Sequence, residues 1–266
     1  MSRLLVCPPD YFQIDYEINP WMRRSNAVVA KNAARQWHAL MSVFEQGLGV
    51  ALERMTPVPG LPDLVFTANA AVVAGRRVAL SRFRHPERQQ EEAYFEQWFR
   101  ERNYELFTLD KDCFFEGAGD LLGFPEGWFG GYRQRSDIRA FPRLSEWFQQ
   151  EIIPLELIDS RFYHLDTCFC PLSGGELLYF PDAFDEYGRR AITERVAHER
   201  LLPVTEPEAL KFACNAVSIG KDVVVPAGCP DTVRLLESRG YRSHPVVLDE
   251  FMKSGGSAKC LTLALD

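Results

Sequence analysis

Apolar and polar positions along this chain fall into short bursts, and the bursts recur in a fixed order. Residues 64–73, Leu64-Val65-Phe66-Thr67-Ala68-Asn69-Ala70-Ala71-Val72-Val73, form an apolar run with a polar residue set into it and read as a strand. Residues 77–82 read as its hairpin partner. From 86 to 102, Tyr94, Phe95, Trp98 and Phe99 recur at helical spacing, and 104–109 closes the unit as a third strand. The unit is strand, strand, helix, strand.

The same order returns. A second copy opens on 113–122, turns back through 127–132, and takes a helix at 144–151 and a strand at 154–158. The third opens on 162–169, returns on 176–180 and has its helix at 188–199. The fourth opens on 211–219, returns on 222–226 and has its helix at 230–239. A fifth opening strand, 255–263, has no helix after it. Its missing pieces stand at the other end of the chain: strand 1–9, a helix over 26–48 with Val28, Val29, Trp37, Leu40, Met41 and Phe44 on one face, and strand 50–55. A repeat is best taken as a repeat architecture. The expected fold is therefore α/β: one domain over 1–266, a five-bladed propeller of ββαβ units about a pseudo-fivefold axis. The N- and C-terminal segments share one blade, which would close the ring without a free edge.

The repeat also aligns polar residues. The five opening strands carry Asn69, Glu116 with Asp120, His164 with Asp166, Asn215, and Cys260. In 161–169, read as a strand, His164 and Asp166 project from one face. Around a common axis all of these would converge, giving a thiol, an imidazole, carboxylates and amides in one concave centre, which is a nucleophile-and-base constellation. Singly each has an ordinary reading: Asn69 and Asn215 as turn residues, Glu116 and Asp120 as solvated acids, Cys260 as a small buried apolar group. Coincidence at repeat-equivalent positions is what favours the functional reading.

Composition narrows the partners. The formal net charge of −7 disfavours nucleic acid and mildly favours a cationic small molecule. No apolar run approaches the roughly 18 residues of a membrane span, and the N-terminus lacks the long apolar stretch of a signal peptide. Seven cysteines, an odd number at irregular spacing, argue for a reducing compartment, and a cytoplasmic protein is expected. His164, Asp166, Cys168 and Cys170 fit no standard zinc spacing. Gly255-Gly256-Ser257 lacks the rest of a phosphate loop. No metal or other cofactor is expected, and the oligomeric state, a homo-oligomer included, stays open.

Across essentially its whole length the chain resembles the guanidine-modifying enzyme superfamily, the pentein fold of arginine deiminases, dimethylarginine dimethylaminohydrolases and amidinotransferases. Phe115-Glu116-Gly117, Tyr163-His164-Leu165-Asp166-Thr167 and Gly255-Gly256-Ser257-Ala258-Lys259-Cys260 carry the resemblance, in the family's order. It implies Cys260 as the nucleophile on a guanidinium carbon and His164 as the acid that protonates the leaving amine and then activates water. It further implies Glu116 as the acid that orients His164, and Asp166 as the grip on the guanidinium nitrogens. Arg88 and Arg135 match arginines that hold a substrate α-carboxylate in related hydrolases. Asn19, Asp120 and Asn215 complete the implied substrate-binding set.

One departure is informative. Deiminases and dimethylargininases usually carry an acid where this chain has Asn69. Thr67-Ala68-Asn69-Ala70-Ala71, Ile18-Asn19-Pro20-Trp21-Met22 and Phe114-Phe115-Glu116-Gly117-Ala118-Gly119-Asp120 instead resemble the ammonia-forming arginine dihydrolases. The implied substrate is L-arginine and the implied products are ornithine, ammonia and carbon dioxide. The alternatives are a citrulline-forming deiminase or dimethylargininase, then an amidinotransferase. A non-catalytic binding protein of the same fold, as in translation initiation factor 6, would leave Cys260, His164 and Glu116 without purpose.

Overall fold

A computed structural model describes residues 2–266. Five separate three-stranded sheets account for its strands. In chain order, β1 (Arg3–Val6) leads to the long helix α1 (Ala30–Ser42) and β2 (Ala51–Arg54). The hairpin β3 (Ala71–Ala74) and β4 (Arg77–Leu80) is followed by α2 (Pro86–Gln89), α3 (Glu91–Glu101) and β5 (Glu105–Phe107). Next come β6 (Leu121–Phe124), β7 (Gly127–Tyr132), α4 (Ala140–Phe148) and β8 (Ile152–Glu156). Then follow β9 (Phe169–Pro171), β10 (Leu177–Tyr179), α5 (Glu186–Arg195) and β11 (Leu201–Pro203). After α6 (Glu206–Ala209) come β12 (Val217–Ile219), β13 (Asp222–Pro226), α7 (Pro230–Ser238) and β14 (Arg242–Val246). The short α8 (Asp249–Met252) and β15 (Leu263–Ala264) end the chain.

Each sheet has the same internal plan. A hairpin supplies an antiparallel pair, and the strand after the helix joins the hairpin's second strand in parallel, as in β3–β4–β5 and β6–β7–β8. A parallel neighbour needs a crossover connection, and the helix of each unit is that crossover. The fifth sheet obeys the plan with both chain ends: β15 pairs antiparallel with β1, and β1 pairs parallel with β2.

Two expectations are corrected. The opening strands are shorter than the apolar pattern suggests. Residues 64–70, 116–119 and 164–167 are tight turns, with 3₁₀ geometry over Pro62–Val65, Thr67–Ala70, Gly117–Gly119 and Leu165–Thr167. Residues 211–215 and 257–261 are turns as well. Their amides close locally, as Asp120 N to Gly117 O, Cys168 N to Leu165 O and Asn215 N to Phe212 O, not across a sheet. His164 and Asp166 therefore do not alternate on a strand, because a short buried apolar run fits a turn as well as a strand.

The stripe of α3 is the second correction. Phe95, Trp98 and Phe99 are buried but Tyr94 is 40% exposed. The inward position one turn before Phe95 is taken by Glu91, fully buried against Arg88. Helix geometry puts 91, 95, 98 and 99 on one face, and the charge at 91 hides that face from a hydrophobicity count. Among the described residues, no helix is long and apolar enough to cross a membrane.

Candidate active site

The turns that precede β3, β6, β9, β12 and β15 bring the aligned polar residues together, all of them buried. Gly117 makes one of these turns possible: its φ is +62°, and a Cβ there would stand 2.9 Å from both Ala68 O and Ala71 N. Gly119 permits another contact. A Cβ on it would collide with Asn69 Nδ2 and lie 3.3 Å from His164 Cγ.

His164 Nε2 stands 2.7 Å from Glu116 Oε2. The Arg135 guanidinium donates to that same oxygen at 3.0 Å and, with Arg88, holds the Glu116 carboxyl well below its usual range despite complete burial. An ionised carboxylate only accepts, so Nε2 carries the imidazole proton and Nδ1 presents its lone pair. Nδ1 is buried and has no hydrogen-bond partner. Burial pulls the His164 pKa down to about 4, which leaves the ring neutral and able to take a proton at Nδ1.

The Cys260 thiol faces Asp166, with Sγ 3.4 Å from Oδ2, and accepts a hydrogen bond from Asn215 Nδ2 at 3.1 Å. Burial and the Asp166 carboxylate push the thiol pKa well up. Burial also raises Asp166 to about 7, and its second oxygen, Oδ1, is buried without a partner. Both groups are thus set up to gain from an incoming cation, which would favour thiolate and carboxylate together.

Asn69, Arg88, Arg135, Cys260 and Asn19 all line one small cavity of about 10 Å³, room for about one water. Arg88 and Arg135 are each 3% exposed, so they are not solvated surface arginines. Arg88 makes a bidentate pair with Glu91 at 2.8 Å and donates Nη1 to Asn69 Oδ1 at 2.9 Å. Arg135 lies over the Tyr163 ring and donates Nη2 to the carbonyl of Ile18 at 3.0 Å. His164, Glu116 and Asp166 stand behind this cavity wall rather than on it.

Two expected substrate contacts are spoken for by the fold. Asp120 Oδ2 accepts from Ser136 Oγ at 2.6 Å and Oδ1 from Leu165 N at 3.0 Å, so it braces the His164 turn and does not face the cavity. Asn215 Oδ1 accepts from Ser257 N and Cys260 N, at 2.9 and 3.1 Å, so its amide shapes the cysteine turn and touches the thiol. Asn19 does lie over the cavity. Its Oδ1 accepts from Trp21 N and Met22 N, and its Nδ2 donates to Ser254 O at 3.0 Å. Trp21 fastens the same segment through Nε1 to Arg161 O at 2.8 Å.

Sequence reasoning passed over Asp63. It is buried on the cavity wall, accepts from Tyr16 Oη at 2.9 Å, and leaves Oδ1 without a partner. The available signal was one acid inside the apolar stretch Leu61 to Phe66. Among the described residues, no group of His, Cys, Asp and Glu could hold a metal ion.

The chain is 47% identical over 98% of its length to the bifunctional arginine dihydrolase/ornithine cyclodeaminase AgrE of Nostoc sp., and spans 37% of that relative's length. It is 34% identical to the N(G),N(G)-dimethylarginine dimethylaminohydrolase of Mycobacterium tuberculosis, over 99% of this chain and 85% of the relative. Crystal structures of the N-terminal domain of ArgZ, a cyanobacterial arginine dihydrolase, match with a TM-score of 0.96 at 42% identity, covering 100% of this chain and 98% of theirs. One is a cysteine-to-serine variant bound to substrate, and another is an asparagine-to-serine variant covalently bound to a reaction intermediate. The family model for eukaryotic N,N dimethylarginine dimethylhydrolase matches residues 8–265, and the chain belongs to that family.

Proposed function

We infer that this chain hydrolyses the guanidino group of L-arginine to ornithine, two ammonia and carbon dioxide, consuming two waters, through a thiouronium adduct on Cys260. The observation that carries this reading is the charge layout of one cavity. The Cys260 thiol lines it, and behind the thiol stands a half-used carboxylate, Asp166. Two buried arginines, Arg88 and Arg135, and the half-used carboxylate Asp63 line the same cavity. A zwitterion with a cationic head fits that layout: guanidinium on Asp166, α-carboxylate on Arg88 and Arg135, α-ammonium on Asp63 and the Ile18 carbonyl.

The guanidinium cation offsets the field that keeps the thiol protonated, and the thiolate attacks its carbon. His164 Nδ1 takes the thiol proton as the thiolate forms and hands it to the departing amine, with Glu116 stabilising the imidazolium. Water activated by the same nitrogen then cleaves the C–S bond. A second cycle on the ureido product releases the second ammonia. Asn69, a neutral amide in the cavity, suits a second substrate that carries no cationic head. Arginine does not fit a cavity of about 10 Å³, so the segment with Ile18, Asn19 and Trp21 opens to admit it and closes to exclude water.

We also take residues 1–266 as one domain whose five sheets stand around one axis as propeller blades, since the turns of all five supply the site. The seven cysteines are all free, which favours a reducing cytoplasm.

A second reading has its own support. The family model and the mycobacterial relative are both named for dimethylarginine. Product identity decides. Purified protein with L-arginine should yield ornithine and two ammonia per turnover, and Cys260→Ser should yield none. Citrulline with one ammonia would replace the dihydrolase reading by a deiminase. Turnover of dimethylarginine alone would favour the second reading.

A further inference from the structure

A second cavity, of about 190 Å³, lies among the strands that lead away from that site. Four of the five sheets line it, through β1 and β15, β6, β9 and β12. Its walls are largely apolar, with Leu4, Leu122, Phe169 and Val217 among them. The hydroxyls that reach it are already committed as donors: Thr262 Oγ1 to the carbonyls of Ala258 and Lys259, and Ser218 Oγ to Ser173.

Lys259 is the exception. It is half-buried, it is the one Lys or Arg on this wall among the described residues, and its ammonium takes part in no hydrogen bond or ion pair. Its nearest ionisable groups are Asp166, Cys260 and Cys170. Burial costs this cation part of its charged form, and the fields of Asp166, Cys260 and Cys170 favour it. An ammonium on a largely apolar wall that makes no direct ion pair or hydrogen bond is a strong donor for an anion that can enter.

We propose that this cavity is a second binding site, for a small monocarboxylate with a short apolar body, held by a charge-assisted bond to Lys259 while its hydrocarbon part packs on Leu122, Phe169 and Val217. One ammonium matches one negative charge, which disfavours phosphate and other dianions. The apolar wall disfavours a bare halide, which would gain the charge and none of the burial. The volume suits an ion of a few heavy atoms and excludes a nucleotide.

Isothermal titration calorimetry with isobutyrate, at constant ionic strength and without arginine, tests this. Because no turnover is read, failure here leaves the proposed reaction untouched, and failure of that reaction leaves this test valid. Wild-type protein should bind isobutyrate saturably, Lys259→Met at least tenfold more weakly, and Lys259→Arg close to wild type. Nuclear Overhauser contacts from the isobutyrate methyls to Leu122 and Val217 should locate it without any variant, which keeps the test decisive if Lys259→Met does not fold. No saturable binding, equal binding by Lys259→Met, contacts elsewhere, or chloride binding as well as isobutyrate would each overturn the proposal.

Discussion

Asp166 shows how one buried carboxyl ties function to stability in opposite directions. Its folded pKa of about 7 lies above the roughly 3.9 of an unfolded aspartate. Below both values the group is protonated in both states and costs nothing. As pH rises between them, the unfolded chain releases a proton that the folded one retains, so stability falls, and the loss is complete above the folded value. At most about 4 kcal/mol is involved, from a shift of about three units. The proposed grip on the guanidinium needs the ionised form. Arginine kcat/KM should therefore rise with pH through about 7 while the melting temperature drifts down over the same window. Asp166→Asn separates the two: thermal melts at pH 8 should show it at least as stable as wild type, and turnover should drop by about a thousandfold or more. A pH-independent kcat/KM between pH 6 and 8 would remove Asp166 from guanidinium binding.

At the scale of elements, the turns decide how much the sequence could say. The repeat was legible because each helix and return strand keeps its own period, whatever it packs against. What the period could not resolve was whether 64–70, 116–119 and 164–167 extend or fold back. The choice rests on contacts from distant units, such as Leu165 N on Asp120 and Asn69 beside Gly119. Asp120 and Asn215 sit at aligned positions, which points to a substrate role, yet position in a repeat does not reveal which way a carboxylate or an amide is spent. Asp63 and Glu91 escape notice for the opposite reason: each is a charge inside an apolar pattern, and its burial makes sense only beside Arg88. In Gly119→Ala the new methyl meets Asn69 and His164, so the turn or the two side chains must shift, at a cost of about 1–3 kcal/mol. Activity should fall at least tenfold, with circular dichroism unchanged. Full activity would mean that the spacing of Asn69 and His164 is not needed.

At the scale of the whole molecule, the proposed nucleophile is held by the two ends of the chain. Cys260 stands just before β15, whose two residues pair with β1, Leu263 opposite Leu5 and Ala264 opposite Leu4. Arg3 O accepts from Leu265 N at 3.0 Å, and Leu5 O accepts from Thr67 Oγ1 at 2.9 Å, which links the shared sheet to the Asn69 turn. Leu263 and Leu265 are buried. Removing residues 263–266 strips away two buried leucines, each contributing about 1.5–3 kcal/mol, and exposes the β1 edge. For a chain of this size, at about 2.1 cal/mol/K of unfolding entropy per residue, a loss of about 3–6 kcal/mol lowers the melting temperature by roughly 5–11 °C. Stability alone does not decide the matter, so activity is read well below the new midpoint. If β1 positions the cysteine turn, the truncated protein should be folded there by circular dichroism and still lose most of its turnover, and Leu265→Ala should lose stability but keep its rate. Full turnover by the folded truncation would show that the Asn215 amide and the Ser257 turn hold Cys260 without help from the chain's beginning.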